Sequence, residues 1–275
     1  MIVKANSGTW SAGSVLLRAS TPGACWTYLP KNRLNPHALA SSTANPKETQ
    51  PRNMRNITLE QLAHVLDRSI SLRAEVHELV EPFEQHEELR FELAFQSALL
   101  SMEHATAALL LMQSELHAPA IALLRPQFES LVRGVWLMYA ASDAQVEKLS
   151  MPLTIETARR GDDLPMLSEM LKRLEATPEA PAHIVVQLQA YKDIAWKALN
   201  SFTHGGIHPL SKYVTGYPPK LVLDSLRNSN GILMMAAQLV CILTGDPSNQ
   251  AQWRKLIDEF TDCFHPINWP IVKSV

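Results

Sequence analysis

Apolar residues recur every three to four positions along most of the chain after residue 57, which is the period of one face of an α-helix. A capping box at Thr58-Leu-Glu-Gln61 predicts the start of the first helix, and Pro82 predicts its end. A second long helix is predicted from Gln85 to Leu116. Its apolar stripe has a spacing that a strand cannot keep and consists of Phe91, Phe95, Leu99, Met102, Ala105, Leu109, Met112 and Leu116.

The third predicted helix starts near Pro119 and contains another proline, Pro126. Pro126 removes one helical hydrogen bond and restricts Arg125, so we expect a kink or a displaced helix start there. Beside its apolar seam this helix carries polar residues on a second face, among them Arg125, Glu129 and Arg133. Arg125 and Glu129 are four positions apart and can therefore form an ion pair on one face.

Shorter helices are predicted at 143–159 and at 164–176, the second with Asp163 as its cap and Pro165 in its first turn. A longer helix then begins near Pro181.

A glycine pair ends that longer helix, and a loop is predicted from Ile207 to Pro219. Lys220–Thr244 is predicted to be helical, and Asp246-Pro247 starts the last helix. No strand-like alternation of useful length occurs. The predicted fold is all-α, a multi-helix bundle of about seven to eight helices.

The N-terminal 53 residues differ in composition from the rest of the chain. They have little periodicity and almost no acidic residues, which is typical of a segment that cannot form its own core. We therefore predict a disordered or non-native extension at 1–53 and a single helical domain at 54–275. Translation starting at Met54 and translation starting at Met1 are both consistent with this pattern.

Charge is distributed unevenly within a net charge of −2. Residues 1–55 contain seven Lys or Arg and one Glu, a local charge of +6, so residues 56–275 carry −8. Because binding to duplex DNA depends on neutralising phosphates, an acidic body argues against duplex DNA as a partner. A local basic pocket stays compatible with this balance.

The three cysteines, Cys25, Cys241 and Cys263, are widely spaced and form no Cys-x-x-Cys pair. This pattern predicts a cytoplasmic protein without disulfides, in which Cys241 acts as a small apolar residue. The longest apolar run, from Gly231 to Gly245, is shorter than the roughly 20 residues of a membrane span. We interpret it as a core helix and predict no membrane association.

Several motifs of known chemistry are absent from the sequence. It contains no nucleotide-binding glycine motif, no Gly-x-Ser-x-Gly and no His-Glu-x-x-His. The Glu-x-x-His pairs that helical di-iron sites need are also missing. The pair Glu84 and His86 is separated by one residue, and the pair Glu103 and His104 is adjacent. We predict no metal and no cofactor.

A stripe of polar side chains marks the last turns of the helix that begins near Pro181. Spacings of four, three and four place on one face Asp193, Lys197, Asn200 and His204. A histidine can act as a general acid or base, and a neighbouring lysine and amide can bind a phosphate. The dipole at the end of the helix favours a protonated imidazole. The stripe also fits a solvated face with His204 as a cap, so spacing alone leaves both interpretations open.

The combination of an Arg-x-x-x-Glu helix (Arg125, Glu129) and an Asn-x-x-x-His-Gly helix end (Asn200, His204) resembles uncharacterised bacterial helical families. These are in turn similar to the HEPN superfamily (higher eukaryotes and prokaryotes nucleotide-binding). The resemblance covers residues 57–264. It implies a helical bundle, commonly dimeric, of the kind found in toxin–antitoxin and phage-defence systems, in which active members are metal-independent ribonucleases.

In that superfamily an arginine lies four to six positions before the motif histidine. By the resemblance, His204 matches the histidine and Asn200 the polar residue that often follows the arginine. Residues 198–203 contain no arginine, and Lys197 lies one position outside the usual window. A lysine cannot form the planar bidentate clamp of a guanidinium. We hypothesise that Arg125 or Arg133 supplies the guanidinium from the neighbouring helix and that Glu129 orients it.

The resulting prediction is an HEPN-like homodimer that cleaves or binds RNA, with a cognate antitoxin or regulator as a further partner. His204, Asn200, Lys197, Arg125 and Glu129 are the predicted site residues, and Asp193 is interpreted as a solvated charge. The alternative is a non-catalytic interaction or regulatory module in which Asn200 and His204 fix a loop. Geometry separates the two, because a site requires Arg125, Glu129 and His204 to converge around an open cleft.

Overall fold

A computed structural model describes residues 57–83, 87–152, 154–160 and 164–265, apart from the side chains of residues 158–160. The predicted extension at 1–53, both candidate start residues, Cys25 and the residues Glu84 and His86 lie outside these ranges. The prediction of a single domain from 54 to 275 is not tested and stays a prediction.

The described residues are all-α and contain no strand, which confirms the predicted class. A short 3-10 turn, Thr261–Cys263, follows the last α-helix. Five of the helices have nine residues or fewer, so their number within the described ranges exceeds the predicted seven to eight. In chain order the α-helices are α1 (Leu59–Val80), α2 (Leu89–Gln113), α3 (His117–Ala122), α4 (Leu124–Tyr139), α5 (Asp143–Ser150), α6 (Ile155–Arg160), α7 (Leu167–Glu175), α8 (Ala182–Thr203), α9 (Ile207–Thr215), α10 (Pro219–Leu243) and α11 (Pro247–Glu259).

The long helices begin where local sequence signals predict. At the start of α1, Gln61 N donates to Thr58 Oγ1 at 3.2 Å and Thr58 N donates to Gln61 Oε1 at 3.0 Å, which is the predicted capping box. α10 begins at Pro219, a position where a missing amide costs no helical bond. These signals act within four residues, so they are readable without a tertiary structure.

The predicted displaced helix start near Pro126 is confirmed. α3 ends at Ala122, and α4 starts at Leu124, which puts Pro126 in the first turn of α4. The first amides of a helix have no intrahelical acceptor, so proline is tolerated there. The break turns Arg125 into a first-turn residue of a new helix.

Two predictions for the middle of the chain, the helices at 143–159 and 164–176, were wrong in their boundaries. The helix expected at 143–159 is two helices, α5 and α6, because Met151 adopts an extended conformation (φ −62°, ψ 141°) before Pro152. α7 begins at Leu167 with Met166 as its cap, so Pro165 precedes the helix instead of lying in its first turn. The predicted cap of that helix, Asp163, lies outside the described residues.

The prediction of a loop from Ile207 to Pro219 was also wrong, because Ile207–Thr215 forms helix α9. Pro209 occupies its third position, where it removes no helical hydrogen bond. None of the side chains of α9 is buried, and Ile207, Tyr213 and Val214 are more than three-quarters exposed. α9 is therefore a surface helix with an apolar face.

The core forms around α2, α4 and α10, which pack extensively on one another. Among the helices of the described ranges, α10 alone is long and apolar enough to cross a membrane, judged by length and composition. In the protein, 61% of its most apolar stretch is buried. A buried polar network links it to α4: Gln127 Nε2 donates to the Ser229 carbonyl at 2.8 Å, and Ser229 Oγ donates to Gln127 Oε1 at 2.9 Å. These bonds satisfy both polar side chains inside the core.

A second, smaller apolar cluster lies where α4 begins and α8 ends. Its buried members include Leu124 of α4, Leu199 and Phe202 of α8 and Leu223 of α10. Leu199 and Phe202 belong to the apolar face of α8 that the spacing predicts. This cluster holds the N-terminal turn of α4 next to the C-terminal turn of α8.

Cys241 and Cys263 are buried free thiols. Burial raises the pKa of each thiol to about 11. At neutral pH both therefore remain protonated, as the interpretation of Cys241 as a small apolar residue requires.

Two glycines in helix interiors have opposite surroundings. A Cβ on Gly134 of α4 would lie 2.9 Å from Leu239 Cδ2 and 3.1 Å from the Ala94 carbonyl oxygen, whereas a Cβ on Gly231 of α10 would meet nothing within 4 Å. We expect Gly134→Ala to lower the free energy of unfolding by about 1 kcal/mol, because overpacking costs about 1–3 kcal/mol and the gain in helix propensity is smaller.

The matched control is Gly231→Ala, which should raise the free energy of unfolding by about 0.5–1 kcal/mol. Chemical denaturation of the two variants measures both changes. Stabilisation by Gly134→Ala equal to that by Gly231→Ala would contradict the close packing of α4 against α2 and α10.

Candidate functional site

The start of α4 and the end of α8 lie side by side. Thr203 Oγ1, in the last turn of α8, donates to the Leu199 carbonyl at 2.9 Å and reaches the Ala122 carbonyl, just before α4, at 3.4 Å. Arg125 lies in the first turn of α4, and His204 caps α8. Two residues that are 79 positions apart in sequence therefore face each other at this junction.

Arg125 is the centre of the site and is contacted on three sides. Its Nε donates to Glu129 Oε1 at 3.2 Å, and its Nη1 lies 2.5 Å from His204 Nε2. Its guanidinium carbon lies 5.0 Å from the centre of the Trp196 ring. The side chain of Arg125 is 17% exposed and that of Glu129 is 33% exposed, so the ion pair is only partly hydrated and stronger than a fully exposed pair.

The contact between Arg125 and His204 defines the role of one ring nitrogen. A guanidinium has only donors, so His204 Nε2 must accept the hydrogen bond and must carry no proton in this geometry. In this geometry the lone pair of His204 Nε2 is directed at Arg125 Nη1.

Two glycines fix the position of His204. Gly205 has φ +64°, and Gly206 N donates to the Ser201 carbonyl at 2.7 Å, which is the hydrogen bond of a Schellman C-cap. A Cβ on Gly206 would lie 2.6 Å from Ser201 Oγ. Because neither position tolerates a side chain without strain, α8 ends at His204 and leaves its imidazole exposed.

Asn200 lies one turn before His204 on the same face of α8. Its Oδ1 is buried and has no hydrogen-bond partner among the described residues. A buried acceptor without a partner is unfavourable, and a hydroxyl or water donor would satisfy it. Asn200 is therefore suited to bind a donor group beside His204.

The polar stripe of α8 divides into two halves. Asn200 is partly buried and His204 contacts α4, whereas Asp193 and Lys197 are exposed. Within the described part of the chain, Lys197 makes no hydrogen bond or ion pair with Arg125, Glu129 or His204, so its catalytic role stays a prediction. Of the two arginines that could supply the guanidinium, Arg125 is the one next to His204.

Sequence reasoning missed the tryptophan of this site. Trp196 lies four positions before Asn200, so it shares the helix face that turns toward α4. An aromatic ring beside a guanidinium adds a cation–π contact and restricts the plane of the guanidinium. The spacing of Trp196, Asn200 and His204, each four residues apart, was the signal that could have revealed it.

The described residues contain no group of three or more His, Cys, Asp or Glu side chains arranged to hold a metal ion. At this junction the side chains themselves offer three roles. Arg125 can bind an anion, His204 Nε2 can accept a proton, and Glu129 can hold the guanidinium in place.

Comparison with family models shows what the chain is similar to: the model of a family of unknown function, DUF6988, matches residues 98–266. No curated protein and no solved structure matches the chain. The matched range covers more than half of the chain and contains Arg125, Glu129, Trp196, Asn200 and His204, so the chain belongs to the DUF6988 family.

Proposed function

We propose that this protein is a metal-independent endoribonuclease whose reacting groups are Arg125 and His204. The observation that carries the proposal is the 2.5 Å contact between Arg125 Nη1 and His204 Nε2 at an exposed helix end. A cation and a proton acceptor in contact are the two groups that cleavage of a phosphodiester by its own 2′-hydroxyl needs. The resemblance to HEPN-like families gives the same reaction class.

Substrate binding would separate the two side chains. A phosphate offers Arg125 two acceptor oxygens in place of one ring nitrogen, and bidentate pairing with an anion is stronger than a bond to neutral imidazole. When Arg125 moves to the phosphate, the lone pair on His204 Nε2 becomes available. In the free protein Arg125 therefore occupies the proton-accepting nitrogen of His204, and binding of the substrate phosphate to Arg125 releases it.

The chemical step then proceeds by internal transfer. His204 Nε2 takes the proton of the ribose 2′-hydroxyl, the 2′-oxygen forms a bond to phosphorus, and the bond from phosphorus to the 5′-oxygen breaks. The 5′-oxygen takes a proton from solvent or from the newly protonated His204. The products are a 2′,3′-cyclic phosphate and a 5′-hydroxyl. Arg125 stabilises the extra negative charge on the phosphorus oxygens.

Glu129 and Trp196 support this step by positioning Arg125. The carboxylate holds Nε while Nη1 faces His204, and the Trp196 ring restricts rotation of the guanidinium plane. Asn200 Oδ1 would accept from a ribose hydroxyl. Lys197, exposed on α8, would bind a neighbouring phosphate of the same strand.

Glu129→Gln is expected to lower the cleavage rate about tenfold, mostly in kcat. The amide still fills the position, but it loses the charge that strengthens the bond to Arg125, a difference of about 1–1.5 kcal/mol. Single-turnover and steady-state cleavage rates separate kcat from KM.

Glu169→Gln is the matched control for this variant. Glu169 accepts a hydrogen bond from Arg173 Nε at 3.0 Å in an equivalent pair four residues apart, on α7 instead of α4. Equal rates for the two variants and the wild type would remove Glu129 from the site.

The biological setting follows from the same resemblance: a cytoplasmic homodimer in a toxin or phage-defence system, held inactive by a cognate antitoxin or regulator. The apolar face of α9, with Ile207, Tyr213 and Val214 exposed immediately after His204, supports a protein contact close to the site.

The direct test uses the purified full-length chain, bulk RNA and an excess of metal chelator. We expect cleavage to continue and to leave 2′,3′-cyclic phosphate and 5′-hydroxyl ends. A matched oligonucleotide with a single 2′-deoxy residue at the cleavage position should remain intact at that position. Absence of cleavage, cleavage only after a divalent metal is added, or cleavage at the deoxy position would each reject the proposal.

A second function is favoured by the same contact between Arg125 and His204. It joins the end of α8 to the start of α4, and such a link would serve a non-catalytic interaction module equally well. In that case no RNA is cleaved, and His204→Ala lowers the free energy of unfolding only. The chelator experiment and a denaturation curve of His204→Ala together distinguish these two functions.

A further inference from the structure

A cavity lies between α8 and α10, apart from the contact between Arg125 and His204. Its volume is about 500 Å³, within the range of small-molecule sites. Neither Arg125 nor His204 belongs to its lining. Most of its wall is apolar, and the main apolar side chains are Phe128, Leu188, Tyr191, Ile194, Ile232 and Met235.

Gly231 of α10 is part of this wall. Glycine in a helix interior is less favourable than alanine, unless a close neighbour leaves no room for a Cβ. Gly134 has such a neighbour, but a Cβ on Gly231 would meet nothing within 4 Å. The space that Gly231 keeps open is therefore space in the cavity, and it lets an occupant approach the backbone of α10.

The polar groups of the wall have unused hydrogen-bonding capacity. Arg227 donates from Nε and Nη2 to the Asp262 carbonyl at 3.3 and 3.2 Å, which leaves Nη1 without a partner among the described residues. The side chain of Asn228 makes no hydrogen bond in the described part of the chain, and the hydroxyl of Tyr191 is buried without a partner there. The guanidinium Nη1 of Arg227, the side-chain amide of Asn228 and the hydroxyl of Tyr191 can each donate a hydrogen bond to an acceptor on a ligand.

The charges of the wall favour an anion. Arg227 contacts only a neutral carbonyl, and the described residues place no carboxylate within ion-pair distance of it. The acidic residue of the wall, Asp224, is already paired with Lys220, and His265 contacts the Asp224 carbonyl at 3.2 Å. The positive charge of Arg227 is therefore the one left to be neutralised at the cavity.

We propose that this cavity binds a small apolar carboxylic acid. The apolar part of the ligand lies between α8 and α10 against Gly231, and its carboxylate pairs with Arg227. This site is independent of the proposed ribonuclease site, because it shares no reacting residue with it.

The test is isothermal titration calorimetry of the full chain with decanoate, below its critical micelle concentration, and with decanamide as the neutral isostere. Decanoate should bind with a stoichiometry of one, and at least tenfold more tightly than decanamide. Arg227→Gln should weaken decanoate binding at least tenfold and leave decanamide binding unchanged. Arg254→Gln, at an exposed arginine of α11, is the matched control and should change neither affinity.

Gly231→Leu fills the open space without removing any polar group and should weaken both ligands at least tenfold. Gly231→Ala should weaken them less while raising the melting temperature, which shows that loss of binding is not loss of folding. Circular dichroism and thermal unfolding verify that each variant is folded.

Each of the following outcomes would overturn the proposal: no saturable decanoate binding, equal affinity for the acid and the amide, unchanged binding in Gly231→Leu, or tighter binding in Trp269→Ala. The last would assign the cavity to the segment that follows His265 in the same chain, because loss of an apolar residue from a competing segment frees the site. Binding affected equally by Arg227→Gln and Arg254→Gln would show general charge attraction and would also reject it.

Discussion

His204→Ala is expected to lower RNA cleavage by about 10² to 10⁴-fold, the range that removal of a general base costs. His204 Nε2 is the proton acceptor next to Arg125, and the described residues place no other imidazole in contact with that guanidinium. Arg125 remains in the variant and keeps its bond to Glu129, so RNA binding should weaken far less than turnover. Initial rates at saturating RNA in chelator measure the effect.

His183→Ala is the matched control for this prediction. His183 is an exposed histidine in the first turn of the same helix, α8, and it makes no hydrogen bond in the described structure. Its replacement should leave the cleavage rate unchanged. If the His183 and His204 variants cleave at the same rate, the activity comes from another group or from a contaminant, and the site assignment fails.

Trp136→Ala is expected to lower the free energy of unfolding by about 3–5 kcal/mol, the cost of removing a large aromatic side chain from a packed core. Trp136 is 1% exposed and belongs to the main apolar cluster, among the side chains of α2, α4 and α10. The surrounding helices cannot close over a cavity of that size without losing other contacts. Chemical denaturation followed by circular dichroism measures the loss.

Trp136→Phe separates packing from hydrogen bonding. The indole Nε1 of Trp136 is buried and has no acceptor among the described residues, so phenylalanine keeps most of the packing and removes an unsatisfied donor. We expect a loss below about 2 kcal/mol, since the two effects oppose each other. An alanine variant as stable as the phenylalanine variant would show that this position lies outside the cooperative core.

The helices that sequence reasoning predicted well are those whose signals are local. The capping box at Thr58, the proline that opens α10 and the glycine pair after His204 each act within a few residues. The break before Pro126 belongs to the same class, because a proline determines which amides can take part in a helix. Local chemistry of this kind gave the all-α class and most of the long helices.

Two of the wrong predictions, a single helix at 143–159 and a loop from Ile207 to Pro219, have different causes. Pro152 divides the segment at 143–159, and the extended residue before it could have been anticipated. α9 could not be separated from a loop by its pattern, because it is short, contains Pro209 and buries no side chain. The apolar periodicity that reveals a helix in a sequence comes from its buried face, and α9 has no buried face.

The sequence by itself determined which residues could form the site: a guanidinium and a carboxylate four positions apart at Arg125 and Glu129, and an amide and an imidazole four positions apart at Asn200 and His204. Only the tertiary structure decided that the two helices meet with Arg125 against His204 and Trp196, while Lys197 faces solvent. The physical reason is that helical spacing fixes neighbours on one helix, whereas the partner across a junction depends on how Leu199 and Phe202 pack into the smaller apolar cluster.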